Sequence, residues 1–106
     1  MLDFLKKLAG GAAPIDYPAL KKRGAQIVDV RSPEEYRGGH VAGSVNIPLQ
    51  AIEKGMGRLR KDAPVITCCA SGMRSASAKR FLESSGFSEV VNGGGWAGLN
   101  RLWTQA

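Results

Sequence analysis

The sequence predicts an α/β domain built on a parallel sheet with helices on both faces. Three observations point there. Short apolar runs suited to strands recur at residues 26–30, 44–47, 65–68 and 89–92. A stretch with helix-start signals or helical periodicity separates each run from the next, and parallel strands require such crossovers. The chain has 106 residues, 43% of them hydrophobic, which suits one compact domain whose core needs no disulfide staples.

In chain order, residues 1–13 read as a tail or short amphipathic helix, with Leu2, Leu5 and Leu8 at three-residue spacing. Gly10-Gly11-Ala12-Ala13-Pro14 then marks a junction, so the domain is expected over 14–106. Asp16 caps a helix over 17–23, with Pro18 in its first turn and Gly24 ending it. A buried strand follows at 26–30. Ser32-Pro33-Glu34-Glu35 is a capping box with proline at the first helical position, and Gly38-Gly39 stops that short helix. Pro48 closes the strand at 44–47, and the helix over 50–60 is weakened by Gly55 and Gly57. The exit at 61–64 leads to the central strand 65–68, the long helix 72–85, the last strand 89–92 and a final helix 96–103.

The net charge of +6 favours anionic partners through the long-range field. Its main contributors, Lys21-Lys22-Arg23, Arg58 with Arg60-Lys61, and Lys79-Arg80, are spread over several helix ends and read as solvated surface. No groove-entering helix or stacking aromatics accompany them, so the expected partner is a small anion and not a nucleic acid. No apolar run approaches the roughly 20 residues that span a bilayer. The N-terminus lacks a basic start followed by a long apolar segment, so no export is expected. Cys68 and Cys69 are adjacent and unsuited to an ordinary disulfide with each other, which fits a reducing, cytoplasmic setting.

The stretch that bears chemistry is Cys69-Ala70-Ser71-Gly72-Met73-Arg74-Ser75, set between the central strand and the long helix. Loop N–H groups and a helix N-terminus should converge at its centre, forming a cradle for an anion. A cysteine heading such a loop lies in the positive field of the helix start and within reach of Arg74. Both effects favour thiolate, with a pKa of about 3.5–7.5 in such settings against about 8.5 when free. Cys68, inside the strand, fits inert burial; Cys69 precedes the turn signal of Ser71 and Gly72, and is the candidate nucleophile. The loop also lies at the carboxyl end of a strand, where open α/β sheets bind ligands. Asp29 and Arg31, flanking Val30, read as a structural ion pair or hydrogen-bond anchor beneath the loop. Trp96 either walls the pocket or packs the core.

The pattern Cys-x-x-Gly-x-Arg-Ser at Cys69, Gly72, Arg74 and Ser75 resembles the active-site loop of single-domain rhodaneses. Two further stretches, in the family's order, carry the resemblance. One is Val28-Asp29-Val30-Arg31-Ser32-Pro33-Glu34-Glu35-Tyr36 with Gly39-His40-Val41-Ala42-Gly43-Ser44-Val45-Asn46-Ile47-Pro48; the other is Gly93-Gly94-Gly95-Trp96. The resemblance implies a rhodanese-like fold with a central parallel sheet of about five strands, and a structural role for His40. It implies a sulfurtransferase that moves sulfane sulfur from thiosulfate or a related small anionic donor to a thiol or cyanide acceptor through a persulfide on Cys69. Ala70, Ser71, Gly72, Met73, Arg74 and Ser75 would bind the donor, with Arg74 either neutralising its charge or orienting the loop. Thiolate attack on sulfur requires no metal or organic cofactor. The loop departs from the glycine-serine-glycine-valine-threonine pattern associated with mercaptopyruvate, which favours thiosulfate or a low-molecular-weight persulfide.

Two alternatives stand beside this. A sulfur carrier or regulatory binding module would take sulfur from an upstream enzyme and pass it to a sulfur-accepting protein. A cysteine-based phosphatase would need Cys-x5-Arg, the spacing from Cys68 to Arg74; from Cys69 only four residues intervene. The glycine expected three residues after the nucleophile is Gly72 counted from Cys69 but Ser71 counted from Cys68. That register favours Cys69 and sulfur.

Overall fold

Four strands, β1 (Gln26–Asp29), β2 (Val45–Asn46), β3 (Val65–Cys69) and β4 (Val90–Gly95), pair in parallel in the order β2-β1-β3-β4. They belong to a computed structural model that describes residues 14–106. The expected tail or helix over 1–13 lies outside the described residues. About five strands were expected, and the described residues form four. These are the four runs that the apolar pattern marks; the fifth rested on the resemblance alone. From β1 the chain moves outward to β2, then crosses back over β1 to β3. The carboxyl ends of β1 and β3 therefore flank the switch point where an open α/β sheet leaves a crevice.

Side chains alternate across the sheet and build two apolar layers. On one face Val28, Val30, Val65, Cys69 and Val90 pack with Ile52 of α3 (Ile52–Gly55) and with Ala78 and Leu82 of α4 (Met73–Ser84). On the other, Ile27, Ile66 and Cys68 pack with Tyr17 and Leu20 of α1 (Tyr17–Lys22) and with Leu99 of α5 (Trp96–Gln105). Helices thus cover both faces, as the interrupted apolar runs predict. Asp16 accepts the Ala19 N–H at 3.1 Å at the start of α1. The capping box forms at α2 (Pro33–Arg37): Glu35 N–H donates to Ser32 Oγ at 3.2 Å, and Ser32 N–H to Glu35 Oε1 at 3.0 Å.

Three elements differ from the sequence reading. The helix expected over 50–60 is instead a 3-10 turn (Leu49–Ala51), the single turn of α3, and a second 3-10 turn (Met56–Arg58), since Gly55 and Gly57 weaken a continuous helix. β3 includes Cys69, which pairs with Gly95 after a one-residue slip in register from Thr67 opposite Asn92. β4 accordingly runs on through the glycines to Gly95 and does not end at Asn92. A side chain at Gly93 would place its Cβ 2.9 Å from Ile66 Cγ2 and 3.0 Å from Thr67 O, so only glycine lets β4 lie this close to β3.

The basic clusters sit largely at the surface, where Arg23 pairs with Glu89 and Lys79 with Glu83. Among the described residues, no helix is long and apolar enough to cross a membrane.

Candidate active site

The site grows from the carboxyl ends of the two central strands. Beyond β1, Asp29 is fully buried and accepts three donors from Arg31: its N–H at 3.0 Å, Nε at 3.0 Å and Nη2 at 2.7 Å. Arg31 also donates from Nη2 to Gly39 O at 2.6 Å and from Nη1 to Glu35 O at 3.2 Å, with the Trp96 ring 4.8 Å from its guanidinium carbon. A buried charge pair is tolerated when its remaining polar atoms are bonded in this way. The ion pair read from the sequence forms, and its outer hydrogen bonds tie the end of β1 to the segment before β2. Trp96 packs against the second apolar layer and covers Arg31. His40 is exposed; its ring stacks on Tyr36 at 3.7 Å, and Nδ1 lies 2.7 Å from Tyr36 O.

At the end of β3, Cys69 Sγ sits inside a ring of donors. Gly72 N–H reaches it at 3.0 Å and Ser75 N–H at 3.4 Å, while Ser75 Oγ lies 3.4 Å away. The turn that aims these amides depends on Gly72, whose φ of +104° is in the left-handed region that side chains disfavour. The glycine of the motif is therefore a backbone requirement. Burial pushes the Cys69 thiol up. Hydrogen bonds to sulfur from the Ser75 side chain and from the N–H groups of Ser75, Gly72 and Ser71 outweigh it, and the net shift is downward. Cys69 is only 1% exposed, so the loop shields its sulfur from bulk water.

Arg74 feels the charge of Cys69 and is at the same time paired with a carboxylate. Its guanidinium meets the carboxylate of Glu35 end-on, Nη1 to Oε1 at 2.8 Å and Nη2 to Oε2 at 3.0 Å. The depressed Cys69 thiol is therefore mainly the work of backbone amides and Ser75. Ala70 and Ser71 form the exposed top of the loop, and Met73 is 80% exposed with its side chain in solvent. Of the loop residues named from sequence, Ser71, Gly72 and Ser75 turn a donor to sulfur; the Arg74 guanidinium is held by Glu35, and the Met73 side chain is exposed.

Two residues escaped the sequence reading. Asn92 stitches the loop to β4: its Nδ2 donates to Gly72 O at 3.2 Å, and its Oδ1 accepts Gly94 N–H at 2.9 Å and Ser75 Oγ–H at 2.7 Å. A serine hydroxyl has one proton, so Asn92 and a Cys69 thiolate compete for it. A polar residue between an apolar run and a glycine cluster was the available signal. Glu35 was read only as a helix cap, and its pairing with Arg74 spans 39 positions.

Comparison with known proteins places this geometry. The family model for the rhodanese-like domain matches residues 16–101. The thiosulfate sulfurtransferase GlpE of Pseudomonas paraeruginosa is 35% identical over 80 residues, covering 76% of this chain and 73% of GlpE. The putative sulfur carrier protein YrkF of Bacillus subtilis is 41% identical over 66 residues, 62% of this chain and 36% of YrkF. A solved structure described as a rhodanese with anions from E. coli superposes with a TM-score of 0.65 at 35% identity, covering 69% of this chain and 88% of that one. Because the family match takes in all four strands and the whole cysteine loop between them, the chain belongs to the rhodanese-like domain family.

Proposed function

We propose that this protein is a sulfurtransferase in which Cys69 carries sulfane sulfur as a persulfide. The observation that carries the proposal is the ring of N–H donors from Ser71, Gly72 and Ser75 around a Cys69 sulfur whose pKa is lowered. The thiolate is the nucleophile in thiol chemistry. Cys69 S⁻ attacks the outer sulfur of thiosulfate, the S–S bond breaks, sulfite leaves with the bonding pair, and the persulfide anion remains on Cys69. The same amides that hold the thiolate would then hold this anion, before a thiol or cyanide removes the outer sulfur. Each step is a sulfur-centred displacement, so the chain's own donors supply the stabilisation. The described similarity to GlpE, a thiosulfate sulfurtransferase, supports the reaction class. A reducing cytoplasm, where Cys69 stays a free thiol, is the setting we propose.

The test is incubation with thiosulfate followed by intact mass, then addition of cyanide. Gain of one sulfur mass and its loss as thiocyanate are expected; a mass unchanged by thiosulfate and by a low-molecular-weight persulfide alike would overturn the proposal. The similarity to YrkF favours a second reading, a sulfur relay to a partner protein. Relay predicts that one sulfur loads stoichiometrically but turns over slowly with cyanide and faster with an acceptor protein.

A further inference from the structure

Arg74 and Glu35 make a contact that the sulfur chemistry does not call for. Both carboxylate oxygens of Glu35 meet both terminal nitrogens of Arg74, at 2.8 and 3.0 Å, the two-pronged geometry that makes arginine–carboxylate pairs strong and directional. Glu35 is also held from behind, because its Oε1 accepts the Ser32 N–H at the start of α2. The carboxylate is thus fixed by the helix cap before Arg74 arrives. The hydrogen bonds from Arg74, with that backbone N–H, hold the Glu35 carboxyl down to about 2, so it is ionised throughout the neutral range. Arg31, the other arginine close to the strand ends, is closed off by Asp29, Gly39 O and Glu35 O. Among the described residues, each arginine beside the loop is matched by a carboxylate. Neither arginine therefore offers an unpaired charge beside Cys69, although the whole chain carries +6. Met73, 80% exposed next to Arg74, adds an apolar edge to the rim.

A small dianion is selected by unpaired positive charge. A persulfide R–S–SH presents its transferable sulfur with one negative charge at most, on a larger body that can rest on an apolar rim. We propose that Glu35 is a specificity-determining residue: by pairing with Arg74 it disfavours small dianionic donors relative to donors whose outer sulfur is carried on a thiol. The proposal rests on Cys69 being the sulfur acceptor. In the favoured step Cys69 S⁻ attacks the outer sulfur of R–S–SH, the S–S bond breaks, and R–S⁻ leaves with the electron pair. The proton stays on the transferred sulfur, giving Cys69–S–SH, with no net oxidation.

The experiment measures single-turnover sulfuration of Cys69 by thiosulfate and by cysteamine persulfide, whose ammonium offsets its persulfide charge, in wild type and in Glu35→Gln, with intact mass as the readout. Glutamine keeps the acceptor oxygen that caps α2 and loses the charge. The second-order rate constant for thiosulfate is expected to rise about tenfold in Glu35→Gln, and that for the persulfide to change by less than about twofold. The thiosulfate gain should shrink with added salt and be absent when Glu35→Gln is made in an Arg74→Ala background. Equal changes for both donors, or a thiosulfate rate constant that does not move, would overturn the proposal. Wild type that loads sulfur from neither donor would instead overturn the sulfur-transfer reading, and this inference with it.

Discussion

Cys68 and Cys69 are neighbours on one strand, both buried, and they meet opposite sides of the sheet. Cys68 faces Ile66, Tyr17 and Leu99. Burial first, with the nearby Asp29 charge adding to it, pushes its thiol up to about 12. Cys69 faces the loop, where amides from Ser71, Gly72 and Ser75 bring its thiol below the ordinary value in spite of burial. Burial fraction alone does not separate the two. The direction of nearby N–H groups does, and that direction is set by one left-handed glycine at the end of β3. The lesson is that the alternation of a strand can place, one residue apart, a thiol raised by burial and a thiol lowered by amide hydrogen bonds.

The largest expected effect is on chemistry. Cys69→Ser should abolish sulfur transfer, because a hydroxyl cannot form the persulfide, while a thermal melt should still show a folded protein. Sulfuration and cyanide assays check this, and activity retained in Cys69→Ser would erase the contrast. Ser75→Ala sharpens it by removing one donor and leaving the amides. The Cys69 thiol should move up and transfer slow by roughly tenfold, the equivalent of losing a hydrogen bond to a charged group worth about 1.5 kcal/mol. The pH profile of single-turnover sulfuration reads both quantities. Cys68→Ser should leave transfer intact and lower stability by about 1–3 kcal/mol, the cost of a hydroxyl without an assured partner in an apolar layer.

Cys68 also gives stability a signature in pH. Its folded-state thiol is raised from 9.0 to about 12, so the folded form holds the proton more tightly than the unfolded form. The associated stability is fully present below about pH 9 and falls as pH rises toward 12. Cys69, with a lowered pKa, contributes in the opposite sense: its share is present above the ordinary pKa and is lost as pH falls through the folded value. Denaturation curves of wild type and Cys68→Ser at increasing pH should therefore diverge least at the alkaline end, where the native thiol has lost its advantage.

The order of strands and helices was legible in the sequence because apolar runs and cap residues act locally. Asp16 and Ser32 cap the helices that their positions suggest, and Gly72 marks the turn because no other residue adopts its backbone angle readily. The extension of β4 through Gly93–Gly95 was not legible, since glycines lack strand propensity and the reasons for them are tertiary: a Cβ at Gly93 would meet Ile66 and Thr67, one at Gly95 would meet Ala70 O, and Gly94 takes a φ of +78°. The place of Cys69 at the head of the loop was legible by glycine register. The partner of Arg74 was not: the Glu35 cap signal is local and complete in itself, and its second role appears only when α2 and α4 meet. Asn92 escaped for the same reason, as its three bonds reach across from β4 to the loop and to Gly94.

The ionisation of the two thiols, followed by carbon NMR of cysteine Cβ in Cys68→Ser and Cys69→Ser, tests the central contrast most directly. The remaining Cys69 in Cys68→Ser should titrate below 9.0, and the remaining Cys68 in Cys69→Ser should stay protonated until about 12. Two thiols that titrate together near 9.0, or a Cys68 that ionises before Cys69, would contradict the account.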